Sequence, residues 1–496
     1  MSAITVTNLT FGYDGSPDDV FEDVSFHFDT DWKLGFVGRN GRGKTTFMRL
    51  LLGEEKYSGT ISSQVPFSYF PFPIGDETLN TIDIIDEINP NYEFWELCRE
   101  LNLLDVAEDV LFRPYSTLSY GERTKTMLAV LFLKPDNFLL LDEPTNHLDV
   151  DGKQIVTDYL KSKKGFMLAS HDRALLDDVT DHTLSINKAN IEVVNASFSG
   201  WAEEKERRDK FEADENKKLK KDIAELKAEA RRRANWSDKV EATKIGNGPV
   251  DRGNIGHKAA KMMKKAKIAE ARQDRAIAEK ASLLKNVEAQ AALKLSPLDY
   301  HSNRLVAVKD LSIAYDEKVV LRALSFDVAK GERVAIVGGN GSGKSSLIKL
   351  ILEVGTQVAG PKSPSYTGSV HVASGVKISY VPQGTSHLEG LVKDFSDARG
   401  VDKTLFLTIL RHLGLERKEF ESDITELSEG QKKKILIAAS LSESAHLYIW
   451  DEPLNFIDIQ SRMDIEALLL EYEPTMIFVE HDEVFTRKIA TKTVVL

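Results

Sequence analysis

The sequence contains two similar glycine-rich stretches, FVGRNGRGKTTFMRLLLG at 36–53 and IVGGNGSGKSSLIKLILE at 336–353. Three further segments repeat in the same order, namely LSYGE (118–122) as LSEGQ (427–431), LLLDEPTNHLD (139–149) as YIWDEPLNFID (448–458), and SHD (170–172) as EHD (480–482). The repeats lie 300 to 310 residues apart throughout, which indicates an internal duplication. We therefore predict one domain over 1–198, a second over 302–496, and a linker over 199–301.

Each half has the pattern of an α/β domain. Short alternating segments such as Ile4–Leu9 and Asp23–Phe28 predict antiparallel strands. Apolar runs such as Leu34–Val37, Phe138–Leu141 and Phe166–Ala169 predict buried parallel strands, and helical patterns separate them. The predicted fold class is α/β, with two tandem P-loop domains joined by a long helical hairpin.

The repeated glycine-rich turns fit the phosphate-binding P-loop pattern. In Gly38-x4-Gly43-Lys44-Thr45 the glycines let backbone N–H groups surround a phosphate, and the helix that follows adds its positive dipole end. Lysine would reach the β- and γ-phosphates, and the hydroxyl would be offered to Mg²⁺. Gly338-x4-Gly343-Lys344-Ser345 repeats the pattern. A second match in register makes an ordinary glycine turn a poor explanation.

An acidic pair follows an apolar strand in each half. Asp142-Glu143 and Asp451-Glu452 are expected at the carboxyl end of the sheet, where ligands bind in such folds. The aspartate would hold the Mg²⁺ shell, and the glutamate would orient or deprotonate the attacking water. Such pairs are often merely solvated, but both recur before proline at similar distances from the P-loop.

At this point the motifs resemble those of the ATP-binding-cassette ATPases. LSYGE and LSEGQ look like the family's signature motif, and 146–149 and 455–458 like its D-loops. The resemblance implies catalytic roles for Glu143, Glu452 and the switch histidines His171 and His481. It also implies a head-to-tail pairing in which each signature motif closes over ATP held by the other P-loop. The implied ATP contacts are Tyr13, Gly38, Asn40, Gly41, Gly43, Lys44, Thr45, Thr46, Ser119, Gly121, Tyr315, Gly338, Asn340, Gly341, Gly343, Lys344, Ser345, Ser346, Ser428 and Gly430.

One position departs from the family pattern. The resemblance gives Mg²⁺ contacts to Thr45, Asp142, Ser345, Gln383 and Asp451. In the first half, Phe72 occupies the place where a glutamine like Gln383 is expected. We therefore predict slower turnover at the first site.

Composition excludes several classes of protein. No apolar run approaches the roughly 18 residues of a membrane-spanning helix, so we expect no membrane domain. Cys98 is the sole cysteine, which excludes an intrachain disulfide and a cysteine-rich zinc site. The first residues lack the pattern of a secretory signal, and a cytoplasmic location is expected.

The net charge of −12 conceals a basic segment. Residues 201–295 carry +8, all of it within 231–275, so the rest of the chain carries −20. Apolar residues at helical spacing lie on both sides of a glycine cluster at 246–256, which predicts a helical hairpin with a basic tip. A solvated helix surface is the alternative, but basic side chains beside an aromatic suit RNA phosphates better. The tip residues are Arg231, Arg232, Arg233, Trp236, Lys239, Lys244, Val250, Lys258, Lys261, Lys264 and Lys265.

Two cassettes joined by a basic hairpin resemble the ABC-F proteins, which act on ribosomes. The runs WKLGFVGRNGRGKTT, 235–237, 257–264 and YIWDEPLNFID look closest to the antibiotic-resistance subgroup of the Lsa/Vga kind. The resemblance implies a monomer that binds the bacterial ribosome at the tRNA exit site. Its tip would approach rRNA and P-site tRNA and displace lincosamides, pleuromutilins and streptogramin A. Two other functions stay open, a housekeeping translation factor of the same fold and the ATPase subunit of a drug exporter.

Overall fold

The computed structural model describes residues 2–13, 19–134, 136–146, 148–186, 191–242, 297–315, 318–339, 341–357 and 365–496. It divides into two compact units. Both cassettes together form one unit, Met1–Ser199 with Ala292–Leu496, and Gly200–Ala291 forms the other. Residues of the two cassettes are therefore in direct contact within one folded body.

The first cassette contains nine strands and six helices among its described residues. The strands are β1 Ala3–Phe11, β2 Phe21–Asp29, β3 Lys33–Gly38, β4 Ser58–Ser62, β5 Phe67–Phe70, β6 Phe138–Asp142, β7 Phe166–Ala169, β8 His182–Ile186 and β9 Ile191–Val194. The helices are α1 Lys44–Leu52, α2 Thr81–Ile88, α3 Phe94–Leu103, α4 Tyr120–Phe132, α5 Val150–Ser162 and α6 Arg173–Val179.

A long helix, α7 Phe198–Ala242, leads out of the first cassette. The second cassette repeats the plan of the first among its described residues. Its strands are β10 Arg304–Tyr315, β11 Lys318–Ala329, β12 Arg333–Val337, β13 Ser365–Val372, β14 Ile378–Val381, β15 Leu447–Asp451, β16 Met476–Val479 and β17 Lys492–Val495. Its helices are α8 Lys344–Thr356, α9 Val392–Arg399, α10 Lys403–His412, α11 Glu429–Ser442, α12 Ile459–Tyr472 and α13 Glu483–Ile489.

Each cassette pairs a small antiparallel sheet with a mainly parallel one. The antiparallel sheets have the order β2-β1-β4 and β11-β10-β13. The larger sheets have the order β5-β6-β7-β3-β8-β9 and β14-β15-β16-β12-β17, and all their pairs are parallel except β8 with β9. The predicted α/β class and the central parallel strands are confirmed. Because β3, β7 and β6 are neighbours, the loops that follow them meet at one edge of the sheet.

The hydrophobic core explains why the P-loop helix lies where it does. Helix α1 buries Phe47, Met48 and Leu50 against Leu34 and Phe36 of the central strand. Gly43 begins the helix with a φ of 92°, and a Cβ there would come within 2.6 Å of Val20 Cγ1. Glycine is therefore required both by the backbone and by the space available.

Candidate active site

Both P-loop lysines fold back onto their own loops. Lys44 Nζ donates to Gly38 O at 2.7 Å, and Lys344 Nζ donates to Gly338 O at 2.8 Å. Burial lowers the pKa of both ammonium groups. Nearby carboxylates, Asp458 and Glu143 for Lys44, oppose that shift. The lysines are thus held beside the loops that would surround a phosphate.

A hydroxyl and a carboxylate come together in each half at the position expected for Mg²⁺. Thr45 Oγ1 donates to Asp142 Oδ2 at 3.2 Å, and Ser345 Oγ lies 3.5 Å from Asp451 Oδ1. Two oxygen ligands suit Mg²⁺, which usually keeps water and phosphate oxygens as its other ligands. No group of three or more His, Cys, Asp or Glu side chains in the described ranges could hold a metal by itself.

The two candidate adenine-contacting tyrosines share one local arrangement. The Tyr13 hydroxyl lies 2.8 Å from Thr46 Oγ1, and the Tyr315 hydroxyl lies 3.1 Å from Ser346 Oγ. The Tyr13 ring also packs edge-on against Phe11, with centroids 5.0 Å apart. Each ring is therefore anchored above the first turn of the P-loop helix, and stacking on adenine stays a prediction.

The candidate catalytic glutamates sit in matched backbone positions. Glu143 N donates to Ala169 O and Glu452 N to Val479 O, and both residues have positive φ angles, of 51° and 47°. Each carboxylate faces its switch histidine. His171 Nε2 is 3.5 Å from Glu143 Oε1, and the distance from His481 Nε2 to Glu452 Oε1 is 3.4 Å. Both halves thus hold the candidate catalytic carboxylate at a strained backbone position.

The surroundings of Glu452 stabilise its charged form. His481 supports the carboxylate most strongly, and Gln383 and Asn455 each donate a side-chain hydrogen bond to Glu452 Oε2 at 2.8 Å. These donors outweigh burial and lower the pKa of Glu452 to about 2. Gln383, which the sequence predicts as an Mg²⁺ contact, therefore donates to the candidate catalytic carboxylate in this structure.

The surroundings of Glu143 do the opposite. Burial raises the pKa of Glu143 to about 7, and the negative charge of Asp142 adds to the rise. Burial together with the charges of Lys44 and Arg462 lowers the pKa of His171, so this ring stays neutral at pH 7. Phe72, which stands in the place of Gln383, has no side-chain donor to offer a carboxylate. Glu143 is therefore the stronger base of the two, although whether the first site is slower stays a prediction.

This difference predicts that the ATPase rates of the two sites depend differently on pH. In a Glu452→Gln variant, hydrolysis at the first site should fall about tenfold per pH unit below pH 7, because Glu143 becomes protonated. In a Glu143→Gln variant, the second site should keep its rate from pH 8.5 to 5.5, because Glu452 stays ionised. ATPase rates of both variants, with ATP binding measured at each pH as control, check this. Superimposable profiles would contradict the assignment.

The first P-loop meets the second signature motif across the cassette interface. Asn40 Nδ2 donates to Phe456 O in the second D-loop at 2.9 Å. A Cβ on Gly430 would lie 2.4 Å from Phe456 O and 3.2 Å from Asn40 Nδ2, so only glycine fits there. Ser428 precedes this glycine and caps helix α11 in a reciprocal pair with Gln431. This is the neighbourhood that head-to-tail pairing requires for the first ATP site.

At the other half-site, Ser119 and Gly121 lie beside residues of their own cassette. Ser119 caps helix α4 through Glu122, whose side chain accepts from Ser119 N at 2.7 Å. A Cβ on Gly121 would contact Leu148 at 3.6 Å. Asn340 of the second P-loop lies outside the described residues.

Buried ion pairs at the interface were missed by the sequence reasoning. Lys434 pairs with Asp458 at 2.6 Å with both side chains almost fully buried, and Arg173 reaches across to Glu466 at 2.5 Å. Burial opposes the charged form of Asp458, but the charge and hydrogen bond of Lys434, together with Ser461 and Lys44, outweigh it and lower the pKa of Asp458. Their signal in the sequence was a charged residue within an otherwise apolar helix or strand flank, which does not reveal its partner.

The predicted linker tip falls mostly beyond the described residues. Helix α7 contains positions 231–233, 236 and 239. Lys244, Val250, Lys258, Lys261, Lys264 and Lys265 lie outside the described residues, as does the predicted return arm. Of the apolar face predicted for the outgoing arm, Ile223 is buried, whereas Phe211 is 62% exposed.

Comparison with known proteins agrees with this geometry. The ABC transporter family matches residues 21–146 and 321–455. The chain is 27% identical to the ribosome protection protein VmlR of Bacillus subtilis, over 99% of this chain and 86% of that protein. It is 26% identical to the energy-dependent translational throttle protein EttA of Mycobacterium tuberculosis, over 95% of this chain and 88% of that protein.

Solved structures support the fold. The complex of an archaeal ribosome recycling factor, aABCE1, with the ribosomal stalk protein aP1 matches with a TM-score of 0.60 and 18% identity, over 98% of this chain and 87% of that one. Within the described residues, no helix is long and apolar enough to cross a bilayer. The two matched P-loops, acidic pairs and signature motifs agree with the family match, and the chain belongs to the ABC transporter family as an ATPase with two cassettes in one polypeptide.

Proposed function

We propose that this ATPase is a ribosomal protection protein. It binds the bacterial ribosome at the tRNA exit site and displaces lincosamides, pleuromutilins and streptogramin A from the peptidyl-transferase centre. The observation that carries the proposal is a likeness over 99% of the chain, linker included, to a protein named for ribosome protection. The basic excess of 231–275 supports it, because phosphate backbones attract clustered lysine and arginine.

The proposed domain plan is two cassettes, 1–198 and 302–496, around a hairpin over 199–301. Its tip would contact rRNA and P-site tRNA through Arg231, Arg232, Arg233, Trp236, Lys239, Lys244, Val250, Lys258, Lys261, Lys264 and Lys265. The protein would act in the cytoplasm as a monomer, since each ATP site can be completed by the other cassette of the same chain. The Lsa/Vga resemblance belongs to this proposal.

Each proposed ATP site has a complete set of reacting groups. Lys44 and Lys344 would bind the β- and γ-phosphates, and the hydroxyls of Thr45 and Ser345 with Asp142 and Asp451 would hold Mg²⁺, which neutralises phosphate charge. Gln383 would add a contact in the second site. A water molecule placed by Glu143 or Glu452 would lose its proton to that carboxylate as it attacks. His171 and His481 would keep the carboxylates oriented.

ATP binding is proposed to draw the cassettes together, and hydrolysis to release them. The first P-loop already lies beside Gly430, so a γ-phosphate there would meet the N-terminus of helix α11. Closure at both sites would fix the ends of the linker and hold its tip in place on the ribosome. Release after hydrolysis would let the protein leave once the drug has been displaced.

A housekeeping translation factor is the second candidate. The observation in its favour is the 26% identity to a translational throttle protein over 95% of this chain. Such a factor would use the same ATP sites to relieve stalled ribosomes, and it would leave drug sensitivity unchanged.

Drug susceptibility separates the two. Expression of the chain in a susceptible bacterium should raise the inhibitory concentration of a lincosamide or pleuromutilin several-fold. Expression of the Glu143→Gln/Glu452→Gln variant at the same level is the control, and it should not protect, because bound protein cannot be released. An unchanged inhibitory concentration with abundant folded protein would reject protection and favour the housekeeping role. Lower drug accumulation in the cells would point to export instead.

A further inference from the structure

The two P-loops differ in a way that the ATP chemistry does not require. Between its glycine and lysine, the first loop carries Arg39 and Arg42, whereas the second carries Gly339 and Ser342 at the same positions. Both arginines point away from their own cassette and bind residues of the second one.

The Arg39 side chain binds to the second cassette through an ion pair and a backbone carbonyl. Its Nη2 pairs with Asp464 Oδ2 at 3.0 Å, and its Nη1 lies 3.5 Å from His412 O. A Cβ on Gly414 would come within 2.6 Å of Arg39 Nη1, so the arginine can bind in this position because residue 414 is a glycine. The side chain of Asp464 is only 9% exposed, so it is poorly solvated without the arginine.

Arg42 makes the second contact. Its Nη1 lies 3.4 Å from Glu416 Oε1 at the edge of the same surface. Glu416 is 39% exposed, so solvent screens this pair and its contribution is the smaller one. Together the two pairs fix both ends of the P-loop turn against the second cassette.

The residues that bind the two arginines also differ between the cassettes. With the spacing of 309 residues that separates the two signature motifs and the two acidic pairs, Asp464, Glu416 and Gly414 correspond to Ile155, Ala107 and Asp105 in the first cassette. The positions that would form this contact at the second ATP site therefore lack the two arginines. They also lack the two acidic partners and the glycine. Both halves of the contact are present at one site alone.

We propose that Arg39 and Arg42 are positioning residues that hold the second cassette against the first P-loop before nucleotide binds. The first ATP site is thereby assembled in advance, and the second is assembled by nucleotide alone. A pre-assembled site binds ATP without first having to bring the cassettes together, so its apparent affinity is higher. The Arg39–Asp464 and Arg42–Glu416 pairs are separate from the ATP contacts of the motifs, and this positioning role is independent of ribosome binding.

The test uses the full chain with the natural cysteine replaced, Cys98→Ser, and pairs of spin labels on exposed positions. One pair, at 54 and 417, spans the first site, and the other, at 108 and 356, spans the second. The Arg39→Gly/Arg42→Ser variant introduces the residues that the second loop carries at these positions. Without nucleotide, the distance between the labels at 54 and 417 should be longer in this variant than in the parent, and its distribution should be broader. ATP should shorten it again, and the 108–356 distance should respond to ATP alike in both proteins.

Kinetics distinguish positioning from a general loss of structure. In a Glu452→Gln background, where only the first site hydrolyses ATP, the variant should raise KM about tenfold. Its kcat should stay within about threefold, because the reacting groups are untouched. The charge swap Arg39→Asp with Asp464→Arg should recover the short distance and the low KM, and Asp464→Asn should reproduce the defect from the other cassette. Gly339→Arg with Ile155→Asp, at a position where a Cβ meets nothing within 4 Å, should shorten the nucleotide-free 108–356 distance.

Two results would overturn the proposal. One is a 54–417 distance that is the same in the variant and the parent without nucleotide. The other is a fall in kcat at unchanged KM, which would place the arginines in the chemistry instead. Neither result depends on ribosome binding, so the proposal can fail while the proposed function stands.

Discussion

Replacement of both Glu143 and Glu452 by glutamine is expected to lower the ATPase rate by about 10²–10⁴-fold. Glutamine keeps the size and the hydrogen bonds of the side chain but cannot accept the proton of the attacking water. ATP binding should persist, because the lysines and the Mg²⁺ ligands are intact. Phosphate release and equilibrium ATP binding, measured on the same preparation, separate the two effects.

The matched control removes binding instead of chemistry. Lys44→Ala with Lys344→Ala should abolish ATP binding, because each ammonium lies on the loop that surrounds the phosphates. A double glutamine variant that hydrolyses ATP at the parental rate would show that the catalytic carboxylates lie elsewhere.

The second large effect concerns stability. Lys434→Met should destabilise the second cassette by about 3–5 kcal/mol, because it leaves Asp458 buried without its cation. The neighbouring Lys432→Met should cost at most about 1 kcal/mol, since Lys432 pairs with the exposed Glu429. Thermal unfolding midpoints of the full chain measure both.

The pH dependence of the stability lost in Lys434→Met identifies the cause of that deficit. In the parent the pKa of Asp458 is held low, so its pair stabilises the fold above about pH 4 and is lost below that. In Lys434→Met burial is the largest influence and raises that pKa, opposed by the Ser461 hydrogen bond and the charge of Lys44, so protonation favours the folded state and the deficit should shrink as the pH falls from 8 to 5. Equal midpoint shifts for the two lysine variants, or a deficit independent of pH, would contradict this account.

The fold could be predicted because its determinants are local. Strand β6 ends at Asp142 after four apolar residues, and α1 begins at Lys44 after Gly43, as the sequence indicated. The duplication strengthened each prediction, because a motif found in one half could be checked in the other. The pairing of Thr45 with Asp142 follows from the order of the parallel strands β6, β7 and β3, which the structure shows and the sequence did not predict.

The differences between the two sites could not be predicted in the same way. The pKa of Glu143 depends on burial by residues distant in sequence, and that of Glu452 on donors from Gln383, Asn455 and His481. The substitution Phe72 for glutamine hinted at asymmetry but did not show which glutamate is the stronger base. Arg39 is at a position that the P-loop pattern leaves unspecified, and its partner Asp464 lies 425 residues away.

Co-sedimentation with bacterial ribosomes measures whether this ATPase binds ribosomes in its ATP-bound state. The Glu143→Gln/Glu452→Gln variant should pellet with ribosomes when ATP is present and remain in the supernatant without it. Neutralising Arg231, Arg232 and Arg233 should weaken the ATP-dependent binding and its dependence on salt, because fewer phosphate contacts remain. Failure of the variant to pellet in either condition, with ATP binding intact, would contradict a ribosome-directed ATPase.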